Sequence, residues 1–155
     1  MTGKTDIIPA AEAGTLPGLF HERVRRSPEG EAYRRFDGDN RLVPITWSQM
    51  AQQAARWQAA LVREGMRAGD RVALMVQNSP EWVLFDLAAL GLGLVTVPLY
   101  VNDRPDNCAY ILGSTRARLI LIAGDEQWQR LREVLPGPLS IAVHAEPSSS
   151  DTPGP

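Results

Sequence analysis

The stretch Gly69–Trp82, GDRVALMVQNSPEW, decides the fold of this chain. Its apolar run, Val72–Val76, has the length and composition of a strand buried on both faces, and it stops at a Gln-Asn pair. Ser79 and Pro80 then supply a helix start, with the serine as N-cap and the proline in the first turn. A strand, a turn and a helix start in this order are typical of α/β proteins, which bind ligands at such an edge.

Downstream of this stretch, strand and helix signals continue to alternate. Three further strands are predicted over Leu94–Leu99, Arg118–Ile122 and Leu139–Val143, the first two of them buried on both faces. Three helices are predicted between these strands. The first begins at Pro80 and is broken by Gly91 and Gly93, and the second runs from Asp103 to Leu112 and is closed by Gly113. The third is capped by Asp125 and stopped by Pro136. The order β-α-β-α-β-α-β predicts an α/β fold with a mostly parallel, doubly wound sheet flanked by helices.

Upstream of the stretch, the sequence predicts two helices and a hairpin. Thr15 is the expected cap of a short helix that Pro28 ends. An Asp-Gly turn at residues 37–40 separates two short strands, which predicts an N-terminal β-hairpin in an edge position or a small side sheet. Thr46 and Gln49 have the spacing of a capping box and start the second helix.

Composition and local bias suggest the domain organisation. The chain has 155 residues, 44% of them hydrophobic and 22% charged, as in a soluble globular domain. We expect residues 1–14 to be a flexible tail, residues 15–143 to be the N-terminal and incomplete part of a larger domain, and the Pro/Ser/Gly-rich residues 144–155 to be a linker or disordered end. No signal peptide is predicted, because the N-terminus lacks an apolar segment. No transmembrane segment is predicted, because the uncharged run Leu87–Val101 is too short to cross a membrane.

Charge and cysteine content exclude several classes of function. A net charge of −2 provides no basic surplus for binding nucleic acid. Cys108 is the only cysteine, so an internal disulfide is excluded and a reducing, cytoplasmic location is expected. Its apolar surroundings favour a small buried side chain over a nucleophile.

The residues that resemble known site motifs do not have the context that those motifs need. Gly3-Lys4-Thr5 matches the end of a phosphate-binding loop but has no strand or glycine before it. Gly91-Leu92-Gly93 is similar to the start of a dinucleotide-binding motif, but it follows a helix, whereas that motif must follow a strand. His21 and His144 have no partner cluster that could hold a metal. The arginines of Arg23–Arg26 are interpreted as a solvated helix end. We therefore expect no catalytic, cofactor-binding or metal-binding residue in this chain.

Polar side chains at strand ends are the remaining candidates for ligand contact. Asn78 follows the carboxyl end of one predicted strand, and Tyr100 and Asn102 follow the next. Ligands of open parallel sheets bind at this edge. The alternative is turn chemistry, in which an asparagine bonds its own backbone.

Several segments in order resemble one enzyme family. Ile45–Met50 is similar to its opening Leu/Ile-Thr-Tyr-x-x-Leu stretch, Gly69–Ala73 to its Gly-Asp-Arg-Val-Ala stretch, Asn78–Glu81 to its Asn-Ser/Cys-Pro-Glu stretch and Gly93–Leu99 to its Gly-x-x-x-Val-Pro-Leu stretch. Over about residues 15–135 the chain resembles the N-terminal part of the acyl-adenylate-forming (AMP-dependent synthetase/ligase) family. The resemblance is closest to the long-chain fatty acid–CoA ligases.

This resemblance implies a ligase that uses ATP, Mg²⁺ and coenzyme A to convert a fatty acid into acyl-CoA, with AMP and pyrophosphate as by-products. The family's phosphate loop, magnesium-binding glutamate, ribose-binding aspartate and C-terminal lysine match no position here. We therefore expect the N-terminal portion of such a ligase, inactive and without cofactor by itself. The alternatives are a non-catalytic binding or interaction module, or part of an acyl-AMP ligase or peptide-synthetase adenylation domain. Self-association through exposed sheet faces is also expected.

Overall fold

The computed structural model describes residues 6–135, 137 and 139–143, which form six helices and six strands. The helices are α1 (Ala10–Ala13), α2 (Leu16–Arg26), α3 (Trp47–Arg63), α4 (Pro80–Gly91), α5 (Pro105–Thr115) and α6 (Asp125–Arg132). The strands are β1 (Glu31–Phe36), β2 (Leu42–Thr46), β3 (Arg71–Met75), β4 (Val95–Pro98), β5 (Leu119–Ile122) and β6 (Ser140–Val143).

The last four strands form a parallel sheet in the order β4-β3-β5-β6. The chain moves from β3 outward to β4, then returns past β3 to β5 and continues to β6 on the other side. Because parallel crossovers are right-handed, this reversal puts α4 on one face of the sheet and the later helices on the other. The predicted α/β fold with a doubly wound sheet is confirmed.

Two apolar layers hold the helices to this sheet. Side chains alternate between the faces of a strand, so β3 and β5 contribute to both layers. The layer under α3 and α4 contains Leu61, Val72, Leu74, Phe85, Leu119 and Leu121. The layer under α5 and α6 contains Ala73, Met75, Cys108, Leu112, Ile120, Ile122 and Leu131. Full burial of one such large side chain contributes about 1.5–3 kcal/mol.

The predicted N-terminal hairpin is confirmed as a separate two-stranded antiparallel sheet of β1 and β2. At its Asp-Gly turn, Asp37 Oδ1 accepts a hydrogen bond from the N–H of Arg41 at 2.8 Å. Ile45 of β2 is buried together with Met50 of α3 and Leu84 of α4. This third apolar cluster fixes the hairpin against the two helices.

The predicted caps of three helices are confirmed. The Thr15 hydroxyl accepts a hydrogen bond from the N–H of Gly18 at 3.0 Å, and the Ser79 hydroxyl accepts one from the N–H of Trp82 at 3.2 Å. Thr46 and Gln49 form the reciprocal capping box of α3, with bonds of 3.2 and 2.9 Å. These bonds satisfy N–H groups that a helix start otherwise leaves unpaired.

The structure corrects the prediction that the strand after α4 is buried on both faces. β4 lies at the edge of the sheet and, within the described residues, pairs only with β3. Val95 is 49% exposed, and β4 contains no fully buried residue. An apolar, β-branched run marks a strand but does not reveal which strand lies at an edge, since that depends on the order of strands in the sheet.

The predicted ends of α5 are also corrected. The helix begins at Pro105, while Asp103 precedes it and accepts from the Asn107 side chain at 2.5 Å. It runs past Gly113 to Thr115 and is followed by Arg116, which has a left-handed φ of 52°. Arg71 of β3 donates to the Thr115 carbonyl at 2.6 Å. A distant guanidinium thus pairs with a carbonyl at the helix end, which local sequence does not predict.

At the start of α6, the predicted aspartate cap is wrong by one residue. Asp125 is the first helical residue, and Gly124 takes the cap position without a side-chain bond. Gln127 Oε1 instead accepts from the N–H of Ala123 at 2.8 Å. The carboxylate of Asp125 still lies in the first turn, where the helix dipole favours negative charge.

The described residues before α2 form a short helix and ion pairs. Residues 10–13 form the single helical turn α1, and the Asp6 carboxylate contacts Arg23 at 3.0 Å and Arg26 at 2.6 Å. Arg26 also contacts Glu12 at 2.5 Å. The interpretation of these arginines as a solvated helix end is therefore wrong for Arg23 and Arg26, whose side chains are only 23% and 21% exposed.

Some predictions concern residues outside the described part of the chain. These are the Gly3-Lys4-Thr5 match, the helix stop at Pro136, His144 and the proposed linker at residues 144–155. Among the helices that are described, none has both the length and the apolar character needed to cross a bilayer.

Candidate functional site

Two adjoining cavities lie at the carboxyl end of the parallel sheet, and the one between β3 and β5 is called the main cavity. The chain leaves β3 towards one edge and β5 towards the other, so the strand order reverses between these two strands. A cavity of about 510 Å³ opens at this point. Five parts of the chain line it: the end of β3, the first turn of α4, the turn that follows β4, the end of β5, and helix α6. The lining residues are Val76, Gln77, Ser79, Glu81, Val101, Asn102, Ala123, Glu126, Gln127 and Arg130. Open α/β sheets bind ligands at this position.

A second, more open cavity of about 620 Å³ adjoins the first one and shares four lining residues with it. The three strand-end candidates Asn78, Tyr100 and Asn102 all line this second cavity, and Asn102 lines both. The structure thus brings all three candidates to one edge of the sheet. Tyr100 is 84% exposed, which leaves its ring free for contact.

The alternative of turn chemistry does not account for these asparagines. Within the part of the chain that the structure describes, neither the Asn78 nor the Asn102 side chain forms a hydrogen bond. The turn after β4 is instead closed by the backbone, with the Asp103 N–H donating to the Tyr100 carbonyl at 3.1 Å. Both amide groups therefore remain available to a ligand.

The sequence did not indicate the charged residues of the main cavity. Glu81 and Glu126 lie in the first turns of α4 and α6, and Arg130 lies one turn further along α6. Their separation in sequence hides the fact that they share a cavity. Only the adjacency of β3 and β5 brings the two helix starts together.

The described lining of the main cavity is mostly polar. The described lining of the main cavity contains no histidine, cysteine or lysine, and the Ser79 hydroxyl is occupied as a helix cap. Across residues 6–135, 137 and 139–143, no group of three or more His, Cys, Asp or Glu side chains is placed to hold a metal. Amide, hydroxyl and carboxylate groups around a cavity are suited to orienting a polar ligand.

This lining does not fit a nucleoside triphosphate. The described lining contains two carboxylates and one guanidinium, whereas a triphosphate site needs a surplus of cations or a row of backbone N–H groups. The carboxylates would repel the phosphates. We therefore assign no step of nucleotide chemistry to the described residues.

Cys108 lies fully buried on α5. Burial raises the pKa of its thiol, and the nearby Asp103 carboxylate raises it further. A thiol with a raised pKa forms little of the reactive thiolate near neutral pH. The sequence-based interpretation of Cys108 as a small buried side chain is confirmed.

Comparison with known proteins places this fold in a family. The family model described as "AMP-binding enzyme" matches residues 20–153, which is most of the chain. The chain belongs to the AMP-binding enzyme family. The predicted resemblance to acyl-adenylate-forming enzymes is thereby confirmed, and the parallel sheet corresponds to the N-terminal domain of these enzymes.

Two curated proteins and one solved structure illustrate what this chain is similar to. Protein Y of Streptomyces griseus is 30% identical over 89% of this chain. The long-chain-fatty-acid–CoA ligase FadD15 of Mycobacterium bovis is 26% identical over 79% of it. The solved structure of an artificially fused adenylation–PCP di-domain NRPS from Klebsiella oxytoca, NpsA-ThdA, superposes with a TM-score of 0.68, at 27% identity over 83% of this chain.

The chain corresponds to only a part of each of these relatives. It spans 46% of the length of Protein Y, 20% of the ligase and 22% of the fused di-domain.

Proposed function

We propose that this chain is the N-terminal scaffold of an AMP-forming fatty acid–CoA ligase. In the complete reaction a fatty acid and ATP form an acyl-adenylate and pyrophosphate, and coenzyme A then displaces AMP. The observation that carries the proposal is the family match over residues 20–153 on a doubly wound sheet. The similarity to a long-chain-fatty-acid–CoA ligase supports the fatty acid as substrate.

The 155-residue chain is inactive by itself in this proposal. The described cavity does not fit a triphosphate, and the sequence contains no match to the family's phosphate loop or catalytic lysine. Stabilising a phosphoryl transition state requires cations and aimed donors. ATP, Mg²⁺ and coenzyme A accordingly bind to the complete ligase, and no catalytic, cofactor-binding or metal-binding residue is assigned to this chain.

The proposed organisation follows the sequence. Residues 15–143 form the N-terminal part of the adenylation domain, residues 1–14 precede it and residues 144–155 follow it. The protein acts in fatty acid metabolism in the cytoplasm, where its single cysteine meets reducing conditions. Its exposed edge strand β4 supports self-association of the chain when the rest of the domain is absent.

A second candidate is the scaffold of a peptide-synthetase adenylation domain. It is favoured by the superposition on the fused di-domain NRPS from Klebsiella oxytoca. Both candidates use the same adenylation step, so they differ in the acid that is activated and in the thiol that receives the acyl group.

Two chimaeras test the choice between these candidates. Residues 15–143 replace the homologous segment in the Mycobacterium bovis ligase and, separately, in the Klebsiella oxytoca di-domain. We expect acyl-CoA formation in the first host and loss of adenylation in the second, because the scaffold must pack against the remainder of its own class of domain. Activity only in the second host would overturn the fatty acid assignment.

Pyrophosphate exchange tests the inactivity of the chain. The purified 155-residue protein is incubated with ATP, Mg²⁺, labelled pyrophosphate and a series of fatty acids, and the intact Mycobacterium bovis ligase serves as the positive control. We expect no fatty-acid-dependent exchange. Clear exchange by the chain alone would show that it contains a phosphate site.

A further inference from the structure

A small cavity of about 190 Å³ lies between the β1–β2 hairpin and α3. It shares no lining residue with the cavities at the sheet edge. Its polar lining consists of Arg35 from β1 and of Gln49, Gln52, Gln53 and Arg56 from α3. We call this cavity the arginine groove. Its described lining contains two guanidinium groups, three carboxamides and no carboxylate.

Helix and strand periodicity explain why these side chains converge. Gln49, Gln52 or Gln53, and Arg56 follow one another at successive turns of α3 and so form one polar stripe. On β1, adjacent side chains point to opposite faces of the hairpin. Arg34 forms an ion pair with Glu31 at 2.7 Å, while its neighbour Arg35 lines the groove.

The two guanidinium groups of the arginine groove lack the partners that other arginines have. Within the described residues, neither Arg35 nor Arg56 forms an ion pair or a side-chain hydrogen bond. On α2, by contrast, Arg26 contacts two carboxylates. Gln49 uses its side-chain oxygen to accept from the Thr46 N–H, which leaves its NH₂ group to donate.

We propose that the arginine groove binds a phosphate monoester. Two guanidinium groups carry two positive charges, and a phosphate monoester carries about −1.5 to −2 at pH 7. A carboxylate ligand would balance only one of the charges. The planar N–H fork of arginine matches the oxygens of phosphate in paired, charge-assisted hydrogen bonds. The proposal is independent of the acyl-CoA ligase activity, because it concerns a separate cavity.

An NMR titration of the ¹⁵N-labelled 155-residue chain with inorganic phosphate tests the proposal at constant ionic strength. We expect saturable shifts of the Gln49, Gln52 and Gln53 side-chain amides. The double variant R35Q/R56Q is expected to bind at least roughly tenfold more weakly, since charged hydrogen bonds are lost. The double variant R35K/R56K keeps the charge but lacks the fork, and is expected to bind with intermediate affinity.

The matched control is R34Q, which removes the adjacent arginine of β1 outside the arginine groove and is expected to bind phosphate as the unmodified chain does. Equal binding by R35Q/R56Q and the unmodified chain would overturn the proposal. So would equal shifts with chloride, which would indicate general screening, or tighter binding of acetate, which would indicate a carboxylate site. Both replaced side chains are exposed, so circular dichroism of the variants should match that of the unmodified chain.

Discussion

Single side chains decide where several elements of this protein begin. Thr46 ends β2 and starts α3, and its hydroxyl accepts from the Gln49 N–H at 3.2 Å. In return, the Gln49 side chain accepts from the Thr46 N–H at 2.9 Å. The bonds are local, so the Thr-x-x-Gln spacing predicts them without knowledge of the fold.

Replacing Thr46 with alanine should lower the free energy of unfolding by about 1 kcal/mol, because one N–H at the helix start loses its acceptor. Urea unfolding followed by circular dichroism measures the change. Ser48→Ala is the matched control, since the Ser48 hydroxyl makes no hydrogen bond within the described residues while its backbone N–H donates to Pro28. A similar loss in both variants would contradict the role of the cap.

Gly93 is a second position where one residue governs a connection. It joins α4 to β4 with a φ of +71°, and its carbonyl accepts from the N–H of Gly69 at 2.8 Å. A Cβ atom at this position would lie 3.2 Å from the Cβ of Ala68. Both the left-handed backbone and the close approach favour glycine here.

Gly93→Ala should therefore destabilise the protein by about 1–2 kcal/mol, the usual cost of a left-handed conformation for a residue with a Cβ. The urea midpoint at unchanged slope measures this loss. Gly38→Ala, in the hairpin turn, is the control because a Cβ atom there would extend into open space and the φ of Gly38 is not left-handed. If both variants unfold at the same urea concentration, backbone strain at Gly93 is not the cause.

At the scale of elements, charge holds the segment before α2 in place. Hydrogen bonding to Arg26, and the positive charges of Arg26 and Arg23, lower the pKa of the Asp6 carboxyl below its ordinary value despite partial desolvation. Arg25 lowers the pKa of Glu22 in the same way. A lowered folded-state pKa means that the stabilisation is present above the ordinary pKa of about 4 and is lost as the pH falls through the lowered value.

The attachment of α1 to α2 should therefore weaken under acid conditions, below about pH 4. The ¹³C shift of the Asp6 carboxyl, followed from pH 6 to pH 2, should give a pKa below that of an ordinary aspartate. Arg26→Gln should raise this pKa towards the ordinary value. Arg41→Gln, which removes only a contact to Asp39 in the hairpin turn, should leave it unchanged. An ordinary Asp6 pKa in the unmodified chain would show that the contact does not persist in solution.

At the scale of the whole molecule, β4 forms an open edge of the described sheet. The N–H groups of Val95 and Leu99 donate inward, to the carbonyls of Asp70 and Leu74 at 2.8 Å each. Because successive N–H groups of a strand point to alternate sides, positions 96 and 98 face outward. Pro98 has no N–H. Of the two outward-facing positions of β4, only Thr96 therefore offers an N–H group to another strand.

Pro98→Thr should therefore increase self-association, since it adds a second outward donor to an uncharged edge. Sedimentation velocity over a concentration series measures the fraction of dimer and larger species. Adding Val95→Lys to this variant should restore the original distribution, because an edge lysine opposes strand pairing. Unchanged sedimentation of Pro98→Thr would exclude the β4 edge as the surface of association.

The sequence by itself determined the features that depend on neighbouring residues. The caps at Thr15, Thr46 and Ser79, the Asp-Gly hairpin and the alternation of strands and helices all follow from local bonds and periodicity, and the ordered motifs predicted the enzyme family. Only the tertiary structure decided the strand order β4-β3-β5-β6, and with it the edge position of β4 and the cavity that both Gln77 and Arg130 line. It also decided the ion pairs of Asp6 and the arginine groove. These features join residues that are distant in sequence, and no local pattern encodes which of them meet in the folded chain.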